Sequence, residues 1–351
     1  MAEDVSGQPR GGVAVVVPAW REAGELPGTI RALAEAVAPF EDARVVIVAG
    51  GDAATGPAAE RELARCPRLA GRVLPQRPLG KMAALADGAR ELARWMPRPA
   101  WLLTLDADTR LLPGSLEAAV RFLSGRPDLA GVGGRRVRAA PGLGSAYDRV
   151  QDWRTIQRRS AVAVTGHAIL LRAPLVWEWL DEVFAPHDYP LHVDYQMCER
   201  IVRRTGRRFA VPEGFEVETP RARGLDFIRQ ERRHHRAMFA RRAPGRHRYL
   251  LGAALSVGLP VLPAIVAATS PLPPAWPFAA AATGLGGRRL VRWWRDYAAA
   301  ARQDPELRRS SFASYLVDEW CFSLSALLGA LDALHEGTPE VTFRGARWPR
   351  E

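Results

Sequence analysis

Two aspartates one residue apart, Asp106 and Asp108, close an apolar run in the stretch WLLTLDADTRLLPG, Trp101 to Gly114. Two hard oxygen ligands at that spacing suit Mg²⁺ or Mn²⁺, with a diphosphate able to complete the shell. Strand-end turns also use aspartate freely, so D-x-D alone leaves a plain turn as the alternative. Asp194 stands where VDYQMCERIVRRT begins a helix, a place that suits a capping carboxylate or a general base. Lys81 is the one lysine among 49 basic residues and follows Gly80 at the head of a helical segment. A compact ammonium there could meet a phosphate or a ribose-contacting loop, or could simply face solvent. Gly166 and His167 form the turn of AVAVTGHAILLR, where the histidine has either a structural role or one in binding.

These residues need elements that bring them together. Gly12 to Pro18, GVAVVVP, is a β-branched run stopped by proline and reads as a buried parallel strand. Ile30, Leu33, Ala34 and Val37 then recur at helical spacing. Arg44 to Ala49 is a second strand followed by the glycine-rich turn GGDAATG. Glu60 to Leu69 reads as a helix, Arg72 to Leu74 as a strand, Met82 to Met96 as a helix, and the run to Leu105 as the next strand. This alternation predicts an α/β fold with a doubly wound, mostly parallel sheet. Ligands gather at the carboxyl ends of such strands, so Asp106 and Asp108 would face a site. Further on, Ser115 to Leu123 and Ser145 to Ser160 read as helices, Ala130 to Val137 as a strand, and Gly166 as the turn between two strands. Val193 to Thr205 and the basic Gly224 to Arg242 are helical, with small strands at Phe209 to Pro212 and Phe215 to Val217 between them.

A net charge of +11 and a pI near 10.5 predict attraction to something anionic. Ten arginines lie between Arg221 and Arg248, directly before Tyr249 to Gly287, which holds no charged residue. At about 20 residues per span this is enough for a hairpin of two membrane helices, with prolines 271, 273, 274 and 277 between the halves. Arg246 and Arg248 before it, and Arg288, Arg289 and Arg292 after it, put both ends in the cytoplasm. The alternative is a re-entrant or core-buried pair. A third apolar stretch, 312–334, carries Asp318 and Glu319 and could span or lie in the interface. No nucleic-acid module accompanies the basic residues, so nucleic acid is not expected as a partner. Cys66, Cys198 and Cys321 fit no disulfide or zinc spacing, and the polar, acidic start predicts no leader peptide. The expected division is a cytosolic domain, 1–245, and a C-terminal membrane-associated helical region, 246–351, with the hairpin at about 249–287.

Taken in order, VVVPAWRE, VIVAGGDAATG, LGKMAALADGA, LDAD and HVDYQMCERIVRRTGRRFAVPEG resemble the successive segments of glycosyltransferase family 2. QERRH, Gln230 to His234, resembles the Q-x-x-R-W signature of its membrane-embedded, often processive branch. The likeness runs from about Val13 to His234. It implies a GT-A fold, Rossmann-like with helices on both faces of the sheet, and inverting transfer of a sugar from a nucleotide-sugar donor. By that resemblance Pro18, Glu22, Asp52, Lys81, Asp106, Gln230 and Arg233 contact the donor. Asp108 with Asp106 holds Mg²⁺ or Mn²⁺, Asp194 is the catalytic base, and Gly166 and His167 belong to the acceptor region. Three segments depart from the pattern. Ala49, Gly50 and Gly51 replace the aspartates after the second strand, leaving Asp52 displaced; Val193 replaces a glutamate; and His234 replaces the tryptophan. The expectation is therefore transfer from a UDP-sugar to a lipid or lipid-linked envelope glycan at the cytoplasmic face of the membrane. The alternatives are a catalytically silent scaffold and a processive polysaccharide synthase.

Overall fold

The computed structural model describes residues 11–137, 145–157, 161, 163–164, 166–185, 193–220, 225–240, 253, 275–335, 342–343 and 346–347. They fall into two compact units: 1–139 with 155–220 and 341–351, and 140–154 with 221–340.

The first unit is built on β1 (Val13–Trp20), whose run of small branched side chains is buried on both faces. Val13, Val15 and Val17 enter one core and Ala14 and Val16 the other, the alternation a pleated strand requires. Along the chain follow α1 (Leu26–Val37), β2 (Ala43–Gly50), α2 (Thr55–Arg65), β3 (Ala70–Pro75), α3 (Gly80–Trp95) and β4 (Trp101–Leu105). After β4 come β5 (Arg110–Leu111), α4 (Ser115–Ser124), β6 (Leu129–Gly133) and β7 (Arg135–Arg136). β8 (Ala168–Arg172), α6 (Leu180–Val183), α7 (Val193–Thr205), β9 (Arg208–Ala210) and β10 (Glu216–Glu218) complete it. The seven-stranded sheet has the order β3-β2-β1-β4-β8-β6-β9. All pairs are parallel except those of β8, which runs antiparallel to β4 and β6. A second sheet, β5-β10-β7, lies beyond the end of β4.

The predicted α/β architecture is thus present, with two corrections at its far end. The expected strand at 130–137 is divided into β6 and β7; of the Gly166 turn the second arm is a strand, and among the described residues of the first arm Ala161 makes a single bridge to Phe209. Helix α3 lies close on the sheet because Gly88 has no side chain: a Cβ there would meet Val16 Cγ1 at 2.5 Å.

The second unit is helical: α5 (Ser145–Gln157, through Arg154), α8 (Leu225–Ala240), α9 (Ala275–Gln303), α10 (Pro305–Arg309) and α11 (Phe312–His335). α8 and α11 touch at Gly329, where a Cβ would come within 2.6 Å of Arg232 O. Arg232 grips Asp332 with two bonds of 2.6 Å beside that contact. The expected hairpin changes at its second half. α9 takes Pro277 in its first turn, where no helix hydrogen bond is lost, and continues through Arg288, Arg289 and Arg292. The apolar second half and the charged segment after it thus form one continuous helix. Residues 249–252 and 254–274, with the remaining prolines, lie outside the described residues. Among the described residues no helix is long and apolar enough to cross a membrane.

Candidate active site

Two helices on the same side of the sheet carry the central residues. In α3, Lys81 heads the series Leu85, Gly88 and Leu92; in α7, Asp194 heads the series Met197, Cys198 and Ile201. These are i, i+4, i+7, i+11 and i, i+3, i+4, i+7 spacings, so each polar residue leads the inward face of its helix. The apolar members of both series lie in one core cluster, which fixes both helix starts. Gly80 adopts φ +90°, a left-handed turn that glycine takes without strain, and Lys81 follows it. Burial pushes the Cys198 thiol upward, as expected of a packed rather than reactive cysteine.

Lys81 Nζ stands 2.6 Å from Asp106 Oδ1 and 3.2 Å from Asp194 Oδ1. It also donates to Gly166 O at 3.3 Å. The Asp194 carboxylate fills the space beside Gly166, where a Cβ would lie 1.6–2.0 Å from its atoms. Any side chain at 166 would evict the carboxylate. Asp106 is fixed by its backbone: its amide donates to His167 O at 2.8 Å, and its carbonyl accepts from the Thr109 amide at 3.0 Å. The buried Thr29 hydroxyl donates to Ala107 O at 2.7 Å and fastens the same turn. Removal from water pushes Asp106 up to about 6; the Lys81 charge opposes this, and the charges of Asp194 and Asp108 add to it. The Lys81 ammonium is held above its ordinary range, because Asp106 and Asp194 outweigh burial.

Asp106 and Asp108 are both partly open to solvent. Lys81 pairs with Asp106 and Asp194, and Asp108 lies near enough to Asp106 for its charge to act on it; Asp106 and Asp108 offer the hard oxygen donors that a dication takes. The residues therefore fit Mg²⁺ or Mn²⁺. Among the described residues no group of three or more His, Cys, Asp or Glu could hold a metal by itself, so the other ligands would come from a diphosphate and water.

At the ends of β1 and β2 the predicted donor residues form a backbone-stitched edge. Pro18 pairs with Val48 in register. The Glu22 amide donates to Thr55 Oγ1 at 3.1 Å, and that hydroxyl donates to Asp52 Oδ1 at 2.7 Å. Asp52 Oδ1 also accepts from the amides of Ala54 and Thr55, which holds its carboxyl below the usual range. Asp52 thus secures the start of α2. Gly51, at φ +86°, leaves room for Trp20, whose ring a Cβ would meet at 2.7 Å.

His167 Nε2 donates to Gly134 O at 3.1 Å, so this side chain clips two strand ends together. Gln230 and Arg233 lie on α8 in the helical unit; Gln230 is half-buried, and the Arg233 side chain is outside the described set. Sequence reasoning did not find Thr55, nor that Lys81, Asp106, Gly166 and Asp194 meet at one point. The isolation of Lys81 among arginines was the one signal of the latter.

The sheet order, its single reversed strand and the strand-end carboxylates define a GT-A α/β fold. Among solved structures the chain is similar to "Mannosyltransferase PcManGT from Pyrobaculum calidifontis in complex with GDP-Man and Mn2+". That match has TM-score 0.59 and 19% identity, and covers 93% of this chain and 88% of the other. A weaker likeness, to S. aureus TarS 1-349, has TM-score 0.44 and 12% identity and covers 93% and 92% of the two chains. A comparison with curated proteins finds no match. The family model described as "Glycosyltransferase like family 2" matches residues 9–240. The chain belongs to that family and is a glycosyltransferase.

Proposed function

We propose that the chain is a metal-dependent inverting glycosyltransferase that moves a sugar from a nucleotide-sugar donor to a lipid or lipid-linked glycan at the cytoplasmic face of a membrane. The observation that carries this reading is the Lys81 ammonium shared by Asp106 and Asp194, with Asp108 alongside. Asp194 is the general base: it takes the proton of the acceptor hydroxyl while that oxygen forms its bond to the anomeric carbon. The bond from that carbon to the diphosphate oxygen breaks on the opposite face, and the nucleoside diphosphate leaves with the electron pair. Lys81 orients Asp194 and adds positive charge beside the leaving group. Asp106 and Asp108 would hold Mg²⁺ or Mn²⁺, which when bound would neutralise charge on the diphosphate oxygens. The Glu22–Thr55–Asp52 chain keeps the nucleotide end of the sheet in shape.

Uridine is the base expected from the family resemblance, although the similar archaeal structure holds GDP-Man. His234 in place of tryptophan favours a single transfer over processive synthesis. The membrane part of the reading rests on the uncharged run 249–287 and the arginines before it. The test is release of nucleoside diphosphate from a panel of UDP- and GDP-sugars by the full chain, with and without Mn²⁺. We expect Mn²⁺-dependent release from one donor class, and loss of both release and metal-dependent nucleotide binding in Asp108→Ala. Equal metal and nucleotide binding by Asp108→Ala and the parent would remove the metal assignment.

A further inference from the structure

α11 buries polar groups together with small residues, Cys321, Ala326 and Ala330, and leaves large apolar side chains outside. Its buried side carries Tyr315, Asp318, Glu319, Ser323 and Ser325, while Val317, Trp320 and Leu331 are 52%, 38% and 61% exposed. The buried polar groups have partners: Asp318 Oδ2 accepts from the amides of Ala146 and Tyr147 at 3.0 and 3.2 Å, and Glu319 accepts from the Tyr315 hydroxyl. The polar face is thus fixed inward, and the apolar face must turn outward. α9 adds to it, with Leu290, Val291 and Trp294 exposed along one stripe. Trp294 meets Phe312 edge-on at 5.0 Å, which brings the α9 stripe to the beginning of α11. Arg288, Arg292 and Arg295, at i, i+4 and i+7, form an exposed basic row on α9 next to that stripe.

An outward row of large apolar side chains suits a medium less polar than water. Two tryptophans within it and an arginine row beside it fit the boundary between hydrocarbon and anionic headgroups. We propose that α9 from Arg288 onward and α11 form a lipid-contacting face that lies in the surface of an anionic bilayer, with Trp294, Val317, Trp320 and Leu331 among the acyl chains. This deepens the membrane part of the function proposed above and rests on it. It does not require these helices to cross the bilayer: no described helix is long and apolar enough to do so. It assigns them the in-plane position of an interfacial helix.

The full chain is made with Trp320→benzoylphenylalanine or Leu331→benzoylphenylalanine and mixed with phosphatidylcholine vesicles with and without phosphatidylglycerol. It is floated, illuminated and weighed by mass spectrometry. Glu60→benzoylphenylalanine, on the exposed side of α2, is the control. We expect phospholipid adducts at 320 and 331 and none at 60. Among the adducts phosphatidylglycerol should exceed its share of the vesicle, and that excess should be lost in Arg288→Gln/Arg292→Gln/Arg295→Gln. Adducts to another stretch of the same chain, adducts to a second chain, or no adduct at all in floated protein would overturn the lipid face and leave membrane attachment standing. A chain that does not float would remove the membrane reading itself.

Discussion

In the helical unit Arg154 gives Nε and Nη2 to Asp296 Oδ2 at 3.0 and 2.7 Å, and Nη2 also reaches the Tyr315 hydroxyl at 3.2 Å. That hydroxyl in turn donates to Glu319, whose side chain is only 6% exposed. In the α/β unit one ammonium serves two carboxylates, and Lys81, Asp106 and Asp194 keep 22%, 32% and 29% exposure. In the first cluster the partners are internal: Arg154 and Asp296, at 21% and 23% exposure, are joined by two hydrogen bonds, and the buried Glu319 is taken by the hydroxyl and the guanidinium. In the second, Lys81, Asp106 and Asp194 meet at one point and each keeps part of its side chain open to solvent. A network that only joins helices gains from full satisfaction. A site must keep donors and acceptors for groups that arrive later, and the Lys81 cluster has that character.

Substitutions sharpen the contrast. Gly166→Ala should have the largest effect, because the added methyl occupies the Asp194 carboxylate position. Displacing a reacting group by about 1 Å costs on the order of 10²-fold, so turnover should fall at least that far in protein with an unchanged circular dichroism spectrum. Activity within about twofold of the parent, well short of that loss, would mean that the seat of Asp194 has no bearing on catalysis. Lys81→Met comes next. Loss of a charged hydrogen bond, at about 1.5–3 kcal/mol, corresponds to a roughly 10- to 100-fold lower kcat/KM. If the ammonium only propped up the fold, the loss would instead appear in thermal stability with kcat/KM preserved. Asp318→Ala, on the buried side of α11 in the helical unit, should do the reverse. Two amides at the start of α5 lose their acceptor, at about 1–3 kcal/mol. Urea unfolding should shift while turnover per folded molecule stays the same; a drop in turnover without a shift would break the comparison.

Much of this arrangement was legible in the sequence. The first five elements were readable because strands buried on both faces are continuous apolar runs, as in VAVVV, and the helices between them keep a clear period. Lys81, Asp106 and Asp194 were each noticeable by residue type and position. Their meeting was not, since Lys81 and Asp194 are 113 residues apart and only the tertiary fold joins them. Gly166 drew notice as a turn, whereas its importance is the missing Cβ, which no local pattern reveals. Asp52 was noticeable as a displaced acidic residue, but sequence cannot show that its Oδ1 holds the start of α2 through two amides and a hydroxyl. From sequence Pro277 reads as part of a loop between two apolar halves, yet it sits in the first turn of α9, where it breaks nothing.

The central claim is that Asp194 acts as the base, and Asp194→Asn tests it most directly. Asparagine keeps the size and most of the hydrogen bonding, and it is itself a good residue for a helix start, but it cannot take a proton at neutral pH. The measurement is kcat for transfer together with donor affinity in the same protein. The account predicts a kcat lower by about 10²–10⁴-fold with donor affinity unchanged. A kcat within about twofold of the parent, far short of that range, would contradict it and reduce Asp194 to a residue that begins a helix.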